Sequence, residues 1–498
     1  MIVIDRPDQL DRALIERLSR GADRLTLSPA LLATLAESRA ATLADLAADR
    51  PVYGVNTGMG AMAGVRLTPE AQARQQNTLM VGRAVGSAPW LTRRQSRALL
   101  AARLRTLLHP AAGVSPDLCR HLAALLNADV VPAVPRHGGA AGEIIPLAHA
   151  GAVLAGTGQV LDPAGRPVDA TPALTAAGLR PRPFEAKEGV AFLEGVPGLT
   201  ALTTLAAADA RTLLGQTVLA TAAAHAVLGA GHDPLHPALA DSPELTVVLA
   251  TLRAHLTPAE HAARALQAPV SFRVTAPAIA VAMRAVGAVE EAADRALSVV
   301  TDSPAHLDGR FVGTFGFAGT DLVATAAALT TALIHLAELG TARLHRLLDS
   351  ALTGLPRQLS DAPGLHAGMV TVHKRAVGVT HRLRRFAGPA LLGTMETSLG
   401  QEDVQSFGFE AADCLNEALT GLRDVLACEF LAVHQARSLS YPPPVLSAGA
   451  RTALDGIAAV LPPGTADRPF GRDLDEIISL LRDDWQSPAF AGGRLDRP

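Results

Sequence analysis

The chain has 498 residues, is 49% hydrophobic and only 3% aromatic, so its apolar mass is mostly Ala, Leu and Val. That length allows about two to four domains. A formal net charge of −3 with no basic tract gives little support to nucleic acid or an anionic membrane as partner. Ala and Leu are strong helix formers, and an Ala-rich core lets helices approach closely, so long, tightly packed helices are expected. Cys119, Cys414 and Cys428 are odd in number and widely spaced. They fit a reducing compartment, and neither a disulfide frame nor a zinc site. Residues 1–10 carry Asp5, Arg6 and Asp8 and lack the apolar stretch of a signal peptide, so a cytoplasmic protein is expected.

Residues 1–50 read as surface helices, with Ser28-Pro29 as a helix start. Residues 51–60 are dense in glycine and read as a loop. The spacing Gly58-x-Gly60-x-x-x-Gly64 misses the dinucleotide fingerprint and follows no strand. Residues 67–128 place Leu99, Leu100, Leu104, Leu107 and Leu108 at helical spacing. After a Pro-rich loop at 131–135 comes Gly138 to His149, Gly-Gly-Ala-Ala-Gly-Glu-Ile-Ile-Pro-Leu-Ala-His. Its small residues Ala140, Ala141 and Gly142 suit a tight, buried turn. Residues 156–172 read as a turn or short hairpin around Asp162-Pro163-Ala164-Gly165. A domain boundary is placed near 187–196, giving an N-terminal domain over 1–190 and a long-helix bundle with C-terminal helices over 191–498. The apolar runs at 199–229 and 322–339 are interrupted by Asp209 and Arg211, and by His335 and Glu338, and read as bundle helices rather than membrane spans. His225, His232 and His236 lie among Pro and Gly without cysteines or a carboxylate pair, so they read as solvated histidines and no metal is expected. After Tyr441-Pro442-Pro443-Pro444 the chain is turn-rich, then helical around 474–481.

Gly138 to His149 resembles the core motif of the histidine and phenylalanine ammonia-lyase family. There an Ala-Ser-Gly triad, followed by Asp, two apolar residues, Pro-Leu and Ala-His, cyclises into the electrophile methylidene-imidazolone. Here Ala141 stands for the Ser and Glu143 for the Asp. Tyr53-Gly54-Val55-Asn56-Thr57-Gly58-Met59-Gly60 resembles the family loop that carries a catalytic tyrosine. Gln76 to Gly86 resembles the segment facing the substrate ring, with Arg83 at the ring-selecting position. Lys187 to Val196 matches a Lys-Glu-Gly segment, with Glu194 where the family has an active-site Asn. Gln267 to Arg273 keeps Gln267 and Arg273 but has Val270 for a catalytic Tyr. Thr301-Asp302-Ser303-Pro304 has Ser303 for Asn. Gly316-Phe317-Ala318-Gly319 keeps Phe317 and the final Gly. Gln401-Glu402-Asp403 keeps the active-site Glu as Glu402. The resemblance spans about residues 50–430 in colinear order. It implies an all-α, fumarase/aspartase-type long-helix bundle with a smaller N-terminal helical domain. It also implies a homotetramer in which each active site is drawn from three subunits.

The resemblance implies a fold more firmly than an activity. Ala141 has no hydroxyl to lose, so methylidene-imidazolone is expected to be absent and no cofactor is expected. A laboratory Ser-to-Ala change would explain Ala141 alone, but not Glu143, Glu194, Val270, Ser303 and Ala318, so natural divergence is favoured. Arg273 is expected to hold a substrate carboxylate as a bidentate fork, Gln267 to orient the substrate, and Phe317 to line the pocket. Tyr53 is expected to act as base or acid if nearby positive charge lowers its pKa, and Glu402 to hold an amine or act as an acid. Arg83 and Glu194 form a new charge pair if they face one pocket. The expected function is lyase, isomerase or cyclase-type acid–base chemistry on a small polar carboxylate or amino acid. The alternative is a non-catalytic homologue that binds a ligand or partner.

Overall fold

Several helices of this chain begin at a Ser or Thr, with Pro often in the next position. Ser28, Thr68, Thr92 and Ser115 each accept a hydrogen bond from the third amide of the helix they open, and Pro29, Pro69 and Pro116 occupy first positions where no donor is lost. The structure, a computed structural model, describes residues 1–140, 142–256 and 263–482. Helices dominate it, and among the described residues the strands form only two-stranded sheets. The fold is the expected all-α long-helix type.

The chain divides into two compact units. The first comprises Met1–Leu205, Val289–Ala326 and Pro389–Asp413. It holds helices Arg12–Ser19, Pro29–Leu46, Pro69–Arg83, Arg93–Leu107, Pro116–Asn127 and Ile144–Leu154. Ile2–Ile4 pairs in parallel with Leu25–Leu27, which adds a strand element to the helical reading of residues 1–50. Gln159–Leu161 and Pro167–Asp169 make the expected hairpin, and Ala305–Leu307 with Arg310–Val312 make a second. The Arg93–Leu107 helix is buried from Ser96 to Leu107, and Arg97, Arg103 and Arg105 are buried there among its Ala and Leu residues.

The second unit comprises Ala206–Ala288, Ala327–Gly388 and Cys414–Pro498. The expected cut near 190 falls inside the first unit. Four of the five observed boundaries, 205/206, 288/289, 326/327 and 413/414, lie within the helices Pro197–Leu228, Thr275–Ser298, Thr320–Leu347 and Gly408–Leu439, and the fifth, 388/389, falls in the loop at Gly388-Pro389. With four of the five crossings inside continuous helices, no single linker marks the division. The apolar runs at 199–229 and 322–339 lie on two of these helices. Both are long and apolar enough to cross a membrane, and both are mostly buried within the protein. The helix expected around 474–481 is Phe470–Arg482, and Gln216 donates to its Leu481 carbonyl at 3.0 Å.

An ion pair lies in the core of the second unit. Arg343 is fully buried and donates to both Glu429 oxygens at 2.7 and 2.8 Å, and to the Thr275 hydroxyl at 2.8 Å. The bidentate geometry offsets the desolvation of both groups. Glu429→Ala leaves the guanidinium without its counter-charge and should cost about 3–5 kcal/mol. Urea denaturation measures this, and a loss below about 1 kcal/mol would contradict the role given to the pair.

Candidate active site

The Tyr53 loop has no regular structure and is held by side-chain amides. Asn56 accepts from the Val52 amide at 2.7 Å and donates to the Arg50 carbonyl at 2.8 Å. Gln75 donates to the Thr57 carbonyl at 2.9 Å. Gln76 donates to the Gly54 carbonyl and accepts from the Val190 amide, both at 3.1 Å, and so links the loop to the Glu188–Leu193 helix. Gly189 is required beneath it, since a Cβ there would lie 2.4 Å from the Gln76 carbonyl oxygen. Tyr53 emerges from this scaffold half-buried, and its oxygen accepts the Gly60 amide at 2.9 Å.

Two cavities open on either side of Tyr53. The larger, about 670 Å³, is lined by Tyr53, Glu194, Phe317, Gln401, Glu402 and neighbouring residues including Gly142, Ser303 and Thr314. The smaller, about 250 Å³, is lined by Arg83, Met59, Ala140, Ile145, Ser398 and neighbours. Tyr53, Ile144 and Glu402 line both. Glu402 accepts the Thr397 hydroxyl at 2.5 Å.

Behind the larger cavity lies a buried group of charges. Arg103 is fully buried; its guanidinium donates to the Glu194 carbonyl and faces Asp302, Glu143 and Glu194. Burial lowers its pKa to about 10. Lys187, held at a left-handed φ of 69°, donates to Asp302, and both are buried. Glu143 accepts the amides of Gly198 and Leu199 at 2.6 and 2.5 Å, at the start of the Pro197–Leu228 helix. These are free first-turn donors at the positive end of the helix dipole. Gly198 leaves room for the carboxylate, since a Cβ there would lie 2.6 Å from Glu143 Oε2. Burial still pushes Glu143 up to about 7, against the two amides and Arg103. Burial, reinforced by Glu402 and Asp302, pushes Glu194 up to about 8, with Arg103 and Arg83 opposing. Glu194 is therefore largely protonated at neutral pH.

The same environment reverses the expectation for Tyr53. Burial raises its pKa, and Glu194 and Glu402 add to the rise. Hydrogen bonds from the Gly60 amide and the Gln401 side chain pull the other way without overcoming it. Tyr53 is a neutral phenol, a proton donor rather than a ready base.

Tyr53, Glu194, Phe317 and Glu402 meet in one cavity, as the sequence suggested. Arg83 and Glu194 line different cavities, and the two charges act on each other through space without a hydrogen bond found between them. Gln267 and Arg273 belong to the second unit, where Arg273 donates to Gln267 at 3.0 Å. Ala140 lines the smaller cavity and Gly142 the larger, at a φ of 62° that favours glycine. Ala141 lies outside the described residues. Sequence reasoning missed Arg103. Its signal was a cation at the centre of a Leu- and Ala-rich helix, a position that demands partners.

A family model described as aromatic amino acid lyase matches residues 10–459. The chain belongs to that family. It is 32% identical over 498 residues to a histidine ammonia-lyase of Gloeobacter violaceus, covering 96% of each chain. It is 30% identical over 468 residues to a probable histidine ammonia-lyase of Thermoplasma acidophilum, covering 92% of this chain and 94% of the relative. The tyrosine aminomutase of Streptomyces globisporus superposes with a TM-score of 0.93 at 24% identity over 100% of this chain and 99% of that one, a likeness of fold. As an aromatic amino acid lyase family member, the chain is carbon–nitrogen lyase-like. Within that family frame, the acids Glu143 and Glu194 stand at motif positions next to the cavity.

The buried acids give the protein a specific pH response. Folded Glu194 keeps its proton up to about pH 8, whereas an unfolded glutamate releases it near 4.5. Between those values the folded state holds more protons, so its stability falls as pH rises. Glu194→Gln removes this contribution. Melting temperatures measured across that window should fall less steeply with pH in the variant than in the natural protein; parallel curves would contradict the assignment.

Proposed function

We propose that this chain carries out cofactor-free acid–base chemistry on a small polar amino acid or carboxylate. The observation that carries the reading is the convergence of Tyr53, Glu194 and Glu402 on one cavity beside a motif whose central side chain is a methyl group. Methylidene-imidazolone requires a hydroxyl at position 141 that leaves as water. Ala141 has none, so the residues do not fit that group, and no step is routed through it. Histidine deamination, the activity named for the relatives, is therefore not the favoured reaction.

In this reading Glu402 takes a proton from carbon or holds the substrate amine. Glu194 and Tyr53, both protonated at neutral pH, hand a proton to the leaving or accepting atom. Elimination, addition, isomerisation and cyclisation all use this pairing of base and acid. Phe317 supplies an apolar wall. The reading also makes the protein a homotetramer, in which Gln267 and Arg273 complete a site of another subunit and Arg273 grips a carboxylate. Gln267, Leu266 and Val270 are exposed around Arg273, which suits such a role. Free, buried Cys119, Cys414 and Cys428 suit the cytoplasm as compartment.

A thermal-shift screen of amino acids and small carboxylates identifies the ligand; at a hundred times its dissociation constant it should stabilise by about 2.7 kcal/mol. With that substrate, Tyr53→Phe should lower kcat by roughly 10²-fold or more while leaving binding nearly unchanged. Unchanged turnover would show that Tyr53 is structural. Arg273→Leu should weaken binding by about 1.5–3 kcal/mol, measured by calorimetry; unaltered affinity would remove Arg273 from the site.

A further inference from the structure

Arg83 is the last residue of the Pro69–Arg83 helix, where a cation is favoured by the helix dipole. Its guanidinium turns into the smaller cavity, where the hydrogen-bonding contact found for it is the Met59 sulfur at 3.9 Å. Among the described residues it is the only arginine or lysine lining either cavity. Burial lowers its pKa, so part of its hydration is lost. Glu194 and Glu402 act on it through space, but Glu402 is engaged by the Thr397 hydroxyl and Glu194 lines the larger cavity, and neither is found hydrogen-bonded to it. Ser398 places its side chain beside Gly60 on this wall. A half-buried guanidinium with five donors and no carboxylate fork is a binding group awaiting an oxyanion.

We propose that the smaller cavity is an anion subsite in which Arg83 binds a terminal carboxylate of the ligand, while the ligand's amine stays in the larger cavity near Glu194 and Glu402. The proposal rests on the acid–base reading of the larger cavity and names its substrate class. Because Tyr53 lines both cavities, a ligand that spans them passes the phenol between its amine and its terminal carboxylate. The class is an amino acid with an acidic tail. The tail carboxylate sets the register, and the carbon next to the amine is left beside Tyr53 and Glu402.

The test uses L-glutamate, L-glutamine and L-norvaline, which share a chain length and differ in a charged, polar or apolar tail. Calorimetry with the natural protein should show glutamate binding at least 10-fold more tightly than the other two. Arg83→Met should reduce that preference to within about 2-fold while glutamine binding is kept, and Arg83→Lys should retain part of it. Preserved glutamine binding and an unchanged circular dichroism melt show that the variant is folded. Equal tail ranking in the natural protein and Arg83→Met, tightest binding of norvaline, or no binding of any of the three would overturn the subsite. Tyr53→Phe keeps the two readings distinguishable. Lost turnover with no tail preference sinks the subsite alone. Tail preference with turnover unaffected by Tyr53→Phe sinks the acid–base reading alone.

Discussion

Arg103 is fully buried in the Arg93–Leu107 helix, and a charge hidden there must be answered by other charges. The answer is a group of buried side chains from distant parts of the chain: Glu143 after the small-residue turn, Glu194 after a short helix, and Asp302 with its partner Lys187. Satisfying one cation therefore fixes where several loops meet. Arg103 holds the Glu194 backbone, Glu143 caps the first turn of a 32-residue helix, and Lys187 ties the Glu188–Leu193 segment to residue 302. The larger cavity lies against this assembly.

The same burial sets the protonation of the site. Acids crowded in a poorly solvated region do not all ionise, and Glu194 keeps its proton because Glu402 and Asp302 are near and water is not. Tyr53 answers to the same field and stays neutral. A protonated acid and a phenol lining one cavity together with Glu402 are the groups the proposed acid–base chemistry draws on. No single residue carries this. It follows from desolvation acting on groups that the fold brings together.

Much of the fold was legible in the sequence, for local reasons. Ser28-Pro29 states a helix start, the leucine spacing over 99–108 states a buried helix face, and Asp162-Pro163-Ala164-Gly165 states a turn. The colinear motifs placed Tyr53, Glu194, Phe317 and Glu402 near one another. The division into units was not legible, because four of its five boundaries fall inside continuous helices rather than at linkers. The direction of the Tyr53 shift was not legible either, since it depends on how deeply the phenol is buried and on which acids face it. Arg83 and Glu194 could not be assigned to separate cavities from sequence, because Tyr53 divides the space only after the loop folds over residue 60.

The family fold persists here with alanine at the centre of the motif, at position 141. A scaffold that fixes a carboxylate, a phenol and a protonated acid around one cavity keeps a use for those groups when the residue at 141 is alanine. The most direct measurement is the mass of the proteolytic peptide that contains residues 140–142 from the natively folded protein. The account predicts the unmodified sequence mass. A mass lower by water, localised to those three residues, would show that the backbone cyclises and would contradict it.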